Sequence, residues 1–277
     1  MLSRKSRIIV GLTTYDNELL ALSVGALSRI SEKFTLVVYN DNPATSVTRT
    51  QIRNLGYRGP LYIINGEYNN GLLAARMAIV NFISASKINP EWFIFVDDDD
   101  ILLNLSIPDV GDNVFAIIQN RAVVRNRLVD VFRAALHSPN LRFDDENISV
   151  IRPYLGLSGM LVRFDALLET VGVLAHAHSE ISDIDMSLTF LPPVDRMMWS
   201  ALNIVARNMS CPMLPIYMDS INYVATDMDS GNMKYGMPSR PSRNCVEQIE
   251  RAIARYDAVI CAHVASDCAD AAPMGQD

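Results

Sequence analysis

The sequence predicts an α/β protein built on a Rossmann-like, mostly parallel sheet with helices on both faces. In the first hundred residues, short apolar runs alternate with stretches of helical periodicity, in the order β-α-β-α-β-α-β. The first and fourth of these runs, Ile8–Leu12 and Trp92–Val96, are continuously apolar rather than alternating. Strands that are covered by helices on both faces of a parallel sheet have this pattern.

Each element of this first part is predicted from its own periodicity. Strands are short apolar runs, and helices have apolar residues three or four positions apart. The predicted strands are Arg7–Leu12, Phe34–Tyr39, Leu61–Ile64 and Trp92–Val96, and the predicted helices are Glu18–Ile30, Ser46–Leu55 and Leu72–Ala85.

The second part is less regular. A long helix over Val114–Leu136 is predicted, with Asp112 as its cap, and acidic residues open two further helices. The remaining predictions are strands at Ile148–Ile151 and Gly159–Phe164, helices over Asp183–Leu191, Asp195–Arg207 and Asn244–Val264, and a loop over Asp227–Ser239. Since no linker-like stretch separates the parts, we expect one domain over residues 1–277, with subregions 1–103 and 104–264 and a frayed tail, 265–277.

Composition excludes several classes of protein. The 277 residues include 31 acidic and 24 basic ones, a formal charge of -7, whereas a general nucleic-acid binder needs a basic face. No apolar run approaches the ~20 residues that span a bilayer. The N-terminus lacks the apolar stretch of a signal peptide. None of the four cysteines forms a C-x-x-C pair, so we expect reduced thiols and a cytoplasmic protein.

Polar residues cluster where three predicted strands end. The first strand is followed by Thr13-Thr14-Tyr15-Asp16, the second by Asn40-Asp41-Asn42 and the fourth by Asp97-Asp98-Asp99-Asp100. Ligands of open α/β sheets bind beyond the carboxyl ends of the strands. The three clusters are therefore predicted to face one crevice.

The four consecutive aspartates point to a cation. Adjacent carboxylates repel one another and are costly beside a buried strand. Ligand sets made only of oxygen favour a hard ion such as Mg²⁺ or Mn²⁺. An EF-hand loop is disfavoured because its glycine and terminal glutamate are absent. The sequence also lacks a P-loop, a G-x-G-x-x-G turn after the first strand, a G-x-S-x-G elbow and an H-E-x-x-H helix.

Four motifs together resemble those of glycosyltransferases with the GT-A fold, most closely the inverting enzymes of family 2. They are Gly11–Asp16, Val37–Asn42, Asn69–Met77 and Phe95–Asp100. The third is similar to N-x-G-x-x-x-A-R-N, with Met77 in place of the final Asn, and the fourth matches D-x-D as Asp97-x-Asp99. The second resembles a strand ending in D-D-x-S, with Tyr39 in place of the first acid.

A weaker resemblance continues downstream. Gly159–Arg163, followed by Ser182–Met186, resembles the family's run toward an E-D pair, in which Asp183 takes the place of the catalytic base. Ser182 replaces the usual Glu, so Asp185 and Glu180 stay alternatives, and Asp183 also suits a helix N-cap. A Q-x-x-R-W motif is absent, which disfavours a processive synthase.

The resemblance implies roles for the residues of the crevice. Asp99 would bind Mn²⁺ or Mg²⁺ directly, and Asp97 would contact the ribose of the donor or coordinate through water, with Asp98 and Asp100 in support. If the strand continued through the four aspartates, Asp97 and Asp99 would share a face. The base pocket would consist of Thr13 with its neighbour Thr14, Tyr15, and Asn40 or Asp41, with Arg76 near the base or the phosphates.

Several of these residues also have purely structural interpretations. Arg76 would otherwise be a helix-surface residue, Tyr15 a packed turn residue, and Gly71 serves a tight turn. The segment Asp227–Lys234 is a lid over the donor or a solvated turn. His176 and His178 have a spacing sometimes used for metals, but a packed pair is favoured.

The implied function is a metal-dependent, non-processive hexosyltransferase with a nucleotide-sugar donor, most simply UDP-linked. Residues 1–103 would bind the donor and 104–264 the acceptor, a glycan, a lipid-linked molecule or a protein. We expect no nucleic-acid partner and a cytoplasmic location, and leave contact with the inner membrane face and the oligomeric state open.

Three alternatives remain. A haloacid-dehalogenase-type phosphohydrolase also has D-x-D after a strand. In that class the motif normally follows the first strand, whereas here it follows the fourth predicted strand. A nucleotidyltransferase would need a glycine-rich basic loop where Thr13–Tyr15 stands. A non-catalytic nucleotide- or glycan-binding domain stays open.

Overall fold

The computed structural model of the chain describes residues 7–86, 88–125, 148–151, 157–181, 194–209, 212–227 and 243–270. The strands are β1 Ile8–Thr14, β2 Thr35–Asn40, β3 Leu61–Asn65, β4 Trp92–Asp97, β5 Ile101–Leu102, β6 Val114–Arg125, β7 Ile148–Ile151, β8 Leu161–Arg163 and β9 Leu214–Asp227. The helices are α1 Leu20–Leu27, α2 Arg49–Asn54, α3 Gly71–Ala85, α4 Phe164–Glu180, α5 Val194–Asn208 and α6 Arg243–Asp270.

The described strands form one mixed sheet. Their order is β3-β2-β1-β4-β8-β6-β9-β5, and β7 pairs with β6. The first four strands are parallel to one another, as the sequence predicted. Beyond β4 the sheet changes, because β8 runs antiparallel to β4 and β6 antiparallel to β8. The α/β class with a mostly parallel first half is therefore confirmed, and the second half is a mixed extension of the same sheet.

The core has two layers, one on each face of the sheet. Successive residues of a strand point to opposite faces. In β1, Ile9 packs with helices α3, α4 and α5, whereas Val10 packs with α1 and α2, and both are fully buried. In β4, Phe93 and Ile94 divide in the same way. Burial on both faces explains why these runs are continuously apolar in the sequence.

The predicted helix over 114–136 is wrong in its described part. Residues 114–125 form strand β6, and 126–147 lie outside the described residues. The run Val114–Ile118 is buried at every position and pairs with β8 and β9. A continuous apolar run fits a buried helix and a buried strand equally well, and β-branched and aromatic residues favour the strand. Asp112 caps no helix here, and instead accepts a hydrogen bond from Arg163 at 3.3 Å.

Strand β9 was not predicted at all. It pairs with β6 in parallel, but the pairing is irregular: two steps along β6, Gln119 to Arg121, correspond to five steps along β9, Met218 to Tyr223. Such bulges break the alternation of side chains that a sequence pattern relies on. Met218 and Tyr223, five residues apart, accordingly pack against the same core layer.

Helix α4 and the short strand β5 were not predicted either, whereas most other elements follow the predictions with shifted ends. Helices α3 and α5 match the predicted 72–85 and 195–207 closely, and β7 matches 148–151. Helix α6 continues to Asp270, six residues past the predicted end. The predicted helix over 183–191, and the predicted loop beyond Asp227, lie outside the described residues. Within the described part of the chain, no helix has the length and hydropathy needed to cross a membrane.

The sheet register brings the three predicted polar clusters together. Thr13 in β1 lies beside Tyr39 in β2 and beside Asp97 in β4. Thr14 lies beside Asn40. Because these strands are parallel and in step, their carboxyl ends share one edge of the sheet, where the candidate site is built.

Gly159, which precedes β8, provides a test of the packing between this turn and Tyr223 of β9. Its φ is +80°, and a Cβ there would lie 2.4 Å from Cγ of Tyr223. We expect Gly159→Ala to lower the free energy of unfolding by about 2 to 4 kcal/mol, from backbone strain and overpacking. Urea unfolding would measure it.

The matched control is Gly172→Ala in helix α4, where a Cβ would meet nothing within 4 Å. This variant should be more stable than the wild type by roughly 0.5 to 1 kcal/mol, since alanine favours helix. Equal stability of the Gly159→Ala variant and the wild type would contradict the described contact.

Candidate functional site

A tight turn carries the four aspartates. Strand β4 ends at Asp97, and the amide of Asp100 donates to the carbonyl of Asp97 at 3.2 Å, so that Asp98 and Asp99 form the centre of the turn. We call residues 97–100 the acidic turn. The strand does not continue through it, so the expectation that Asp97 and Asp99 share a strand face does not hold.

Asp97 is held by three side chains. Its carboxylate accepts hydrogen bonds from Arg76 at 3.1 Å, from Ser158 at 2.9 Å and from Thr13 at 3.3 Å. Burial by itself would raise the pKa of Asp97, but the charge of Arg76 and the bond from Ser158 hold that pKa below its usual value. Asp97 is therefore an ionised carboxylate in a fixed position.

Asp98 fastens the acidic turn to the end of β1. One of its oxygens accepts from the hydroxyl of Thr14 at 2.7 Å and from the amides of Tyr15 at 3.1 Å and Asp16 at 3.3 Å. Burial raises the pKa of Asp98 to about 6 in spite of these bonds. The predicted Thr14 and Tyr15 therefore lie in the site, connected through the acidic turn.

Asp100 is paired with an arginine that the sequence did not reveal. Its side chain is buried and accepts from Arg121 at 3.1 Å. The guanidinium of Arg121 lies 5.1 Å from the ring centre of Tyr223, and the hydroxyl of Tyr223 accepts from the amide of Asp97 at 3.2 Å. Strands β6 and β9 thus support the acidic turn from below, and neither residue belongs to a motif with a recognisable spacing.

Asp99 has the electrostatic setting of a cation ligand. Burial and the charges of Asp100, Asp98 and Asp97 raise its pKa well above the usual value. A carboxylate that is disfavoured by like charges gains from a nearby cation. Among the described residues, however, no group of three His, Cys, Asp or Glu side chains is arranged to hold a metal ion by itself.

The alternative interpretation of Arg76 as a residue on the surface of its helix is wrong. Its side chain is completely buried, and it bonds Asp97, the hydroxyl of Ser158 at 2.6 Å and the carboxylate of Asp195. We call these four residues the Arg76 network. Burial disfavours the charged form, but the carboxylates of Asp195 and Asp97 outweigh it and raise the pKa of Arg76.

Two members of the Arg76 network, Asp195 and Ser158, were not predicted from the sequence as site residues. Asp195 lies in the first turn of α5, and its position predicted only a favourable interaction with the helix dipole. Ser158 reaches the site because a bridge pairs it with Phe95 of β4. No local pattern signals these contacts, because the partners are far apart in the chain. Ser158 lies 61 positions from Asp97 and 82 from Arg76, and Asp195 lies 119 positions from Arg76 and 37 from Ser158.

The predicted base-pocket residues at the end of β2, Asn40 and Asp41, have structural partners. Asp41 accepts from the amides of Asn70 and Gly71, both at 2.9 Å, and so caps the N-terminus of α3. Burial raises the pKa of Asp41. The side-chain amide of Asn40 donates to the carbonyl of Thr45 at 2.8 Å. Gly71 has a φ of +80°, which confirms the tight turn predicted there.

Other predicted residues lie apart from this edge or outside the description. Asp183, Asp185 and residues 228–234 are outside the described residues. Glu180 is exposed at the last position of α4. His176 stacks on His263 with ring centres 4.3 Å apart, and His178 bonds the hydroxyl of Tyr256 at 2.8 Å. Both histidines thus pack against α6, as the packed-pair interpretation expects.

Comparisons with known proteins identify the fold. No protein-family model matches the sequence, and no curated protein matches it. In structure, the chain resembles residues 1–349 of S. aureus TarS in complex with UDP-GlcNAc, with a TM-score of 0.55 and 17% identity, over 93% of this chain and 71% of that one.

Two other TarS structures give the same picture. The complex of residues 1–349 with UDP has a TM-score of 0.53 at 17% identity, over 93% of this chain and 70% of that one. The longer TarS chain has a TM-score of 0.51 at 16% identity, over 90% of this chain and 39% of that one. TarS is a GT-A-type glycosyltransferase, and the chain described here has the GT-A-type fold that its motifs implied.

The raised pKa of Asp98 predicts a pH dependence of stability. Its folded-state pKa of about 6 exceeds the ordinary value of 3.8. Between these values the folded chain holds a proton that the unfolded chain has released, so this carboxyl stabilises the fold at low pH and loses that effect as the pH rises through the folded-state pKa. In EDTA, Asp98→Asn should unfold near neutral pH with a free energy roughly 1 to 3 kcal/mol higher than the wild type.

Urea titrations on both sides of the folded-state pKa would measure the difference. The advantage of the variant should shrink toward acid pH, because asparagine resembles the protonated carboxyl. An advantage that is independent of pH would contradict the assignment.

Proposed function

We propose that this protein is a glycosyltransferase that moves a sugar from a nucleotide-sugar donor, UDP-linked, to an acceptor hydroxyl, without processivity and with inversion at the sugar carbon. One observation carries the proposal: the acidic turn is bonded to the end of β1 at the carboxyl edge of a GT-A-type sheet. The likeness to TarS complexes with UDP-GlcNAc and UDP supports the class of donor.

The donor set of the acidic turn fits a divalent cation that is shared with a phosphate. Hydrogen bonds from other residues fix Asp97, Asp98 and Asp100 in position, and burial together with like charges raises the pKa of Asp99. Mg²⁺ in phosphate sites is typically bound through one or two carboxylates, with substrate oxygens and water as the other ligands. Asp99 would therefore hold Mn²⁺ or Mg²⁺ directly, and Asp97 would act through water or on the ribose.

The nucleoside would lie over the ends of β1 and β2. Tyr15 offers a ring face for stacking on the base, and it is partly exposed at this edge. Thr13 and Asp97 are already bonded to each other there. Asp41 accepts one amide on each carboxylate oxygen, and each oxygen has a second lone pair that can accept an N–H of the base. Asn40 would act through its bonds to the neighbouring loop.

The transfer itself needs one general base. The acceptor oxygen forms a bond to the sugar carbon while the bond from that carbon to the diphosphate oxygen breaks, and the base takes the hydroxyl proton. A bound divalent cation would offset the charge on the departing diphosphate. We keep Asp183 as the base on the strength of the motif resemblance. Asp195 is the second candidate, because the Arg76 network brings it to Asp97.

The setting of the reaction is also part of the proposal. We place the protein in the cytoplasm, where its cysteines stay reduced, including the exposed Cys261. The acceptor is a glycan, a lipid-linked molecule or a protein, and the last two would bring the protein to the inner face of a membrane or to a partner chain.

The decisive variant is Asp99→Asn. It removes a charge from the acidic turn while keeping the shape of the side chain, so we expect the affinity for UDP in the presence of Mn²⁺ to fall by at least about tenfold, or ~1.4 kcal/mol. Isothermal calorimetry with UDP, with and without Mn²⁺, would measure it. The matched control is Asp109→Asn, an exposed aspartate outside the site, which should bind as the wild type does.

Turnover separates the alternatives to this proposal. Release of UDP from a UDP-sugar with Mn²⁺ is the expected result for a transferase. Binding of UDP with no turnover on a panel of UDP-sugars and acceptors would indicate a non-catalytic domain. Hydrolysis of phosphomonoesters without use of nucleotide sugars would indicate a phosphohydrolase.

A further inference from the structure

We propose that Arg76 is a positioning residue for the transfer reaction put forward above: it fixes the carboxylates of Asp97 and Asp195 as one unit and does not contact the donor. This differs from the role that the motif resemblance implies, in which the arginine approaches the base or the phosphates. The observations that carry the inference are the burial of Arg76 and the identity of its partners.

The charged end of Arg76 is closed off from the crevice. Its side chain has 0% exposure, whereas the side chains of Asp97 and Asp195 are 25% and 16% exposed. Its guanidinium lies 5.1 Å from the ring centre of Phe95, which is itself buried in β4. A ligand in the crevice can therefore reach the two carboxylates but not the cation behind them.

The partners of Arg76 come from separate elements. One terminal nitrogen donates to Asp195 in α5, and the other donates to Asp97 in β4 at 3.1 Å and to Ser158 at 2.6 Å. The N–H groups of a guanidinium lie in one rigid plane. The two carboxylates are therefore held at a set separation and orientation.

Ser158 completes the unit. Its hydroxyl oxygen accepts from Arg76, and it lies 2.9 Å from a carboxylate oxygen of Asp97 and 3.3 Å from one of Asp195. A hydroxyl has one proton, so it donates to one carboxylate at a time. The helix that carries Asp195 is in turn tied to α6, since Arg196 donates to Glu250 at 2.6 Å. The unit thus joins the donor side of the sheet, at Thr13 and Asp97, to the helical layer.

The functional consequence concerns the chemical step more than donor affinity, because Thr13 and Ser158 still hold Asp97 when Arg76 is replaced. Misplacing a group that acts in the transition state lowers kcat while substrate binding persists. A lysine at position 76 keeps the positive charge but is a point donor that cannot hold two carboxylates in a fork. Arg76→Lys therefore separates the positioning role from the charge.

The experiment compares Arg76→Lys, Asp195→Asn, the double variant and Ser158→Ala. Affinity for UDP with Mn²⁺ is measured by calorimetry. Values of kcat and KM are measured from the release of UDP, using a UDP-sugar that the wild type turns over. The control is Asp165→Asn, since Asp165 is an exposed aspartate in the first turn of α4, as Asp195 is in the first turn of α5. Its kinetics should be those of the wild type.

We expect Arg76→Lys and Asp195→Asn each to lower kcat by at least tenfold, with KM for the donor and affinity for UDP within about threefold of the wild type. The double variant should lose no more than the worse single variant, because both residues act through one unit. Ser158→Ala should also lower kcat with unchanged affinity for UDP, but by a smaller factor. It tests the positioning role if the Arg76→Lys variant does not fold.

Two results would overturn the inference while leaving the proposed function intact. A loss of UDP affinity in Arg76→Lys with kcat preserved would show that Arg76 contacts the donor. Independent, multiplying losses for Arg76 and Asp195 would show that they are not one unit. By contrast, a wild-type protein that neither binds UDP with Mn²⁺ nor turns over any UDP-sugar would overturn the proposed function, and the positioning role with it.

Discussion

Four carboxylates on four consecutive residues, at the end of a strand buried on both faces, set the main physical problem of this fold. Their mutual repulsion and desolvation have to be offset by the surrounding chain. Three sets of hydrogen bonds provide this offset. Arg76 bonds Asp97, Arg121 bonds Asp100, and one hydroxyl and two backbone amides bond Asp98. Asp99, at the centre of the turn, has a raised pKa because of its burial and the like charges of Asp100, Asp98 and Asp97.

The mixed half of the sheet supplies part of this offset. Arg76 comes from α3 in the parallel half, whereas Arg121 lies in β6 and Ser158 in the bend before β8. The parallel half therefore supplies the crevice and one counter-charge, and the mixed half supplies the other. The second half of the chain is therefore part of the site's electrostatics as well as a candidate location for the acceptor.

The sequence predicted the parts of this structure that local patterns encode. The parallel strands, α3, α5 and the meeting of Thr13 with Asp97 follow from periodicity and from the rule for strand ends. It failed at β6, where a continuous apolar run fits two structures, and at β9, where a bulge breaks the alternation. Asp195 and Arg121 were invisible because their partners are set by tertiary contacts, which leave no spacing to recognise.

The bulge in β9 has a consequence for how this protein can vary. An odd number of extra residues between Met218 and Tyr223 is what keeps both on one side of the sheet. A single-residue insertion or deletion in that short stretch would turn the tyrosine away and leave the arginine beside it without its ring. Packing thus constrains the length of this stretch as well as the identity of its side chains, whereas volume-conserving substitutions of the apolar residues around it disturb the core less.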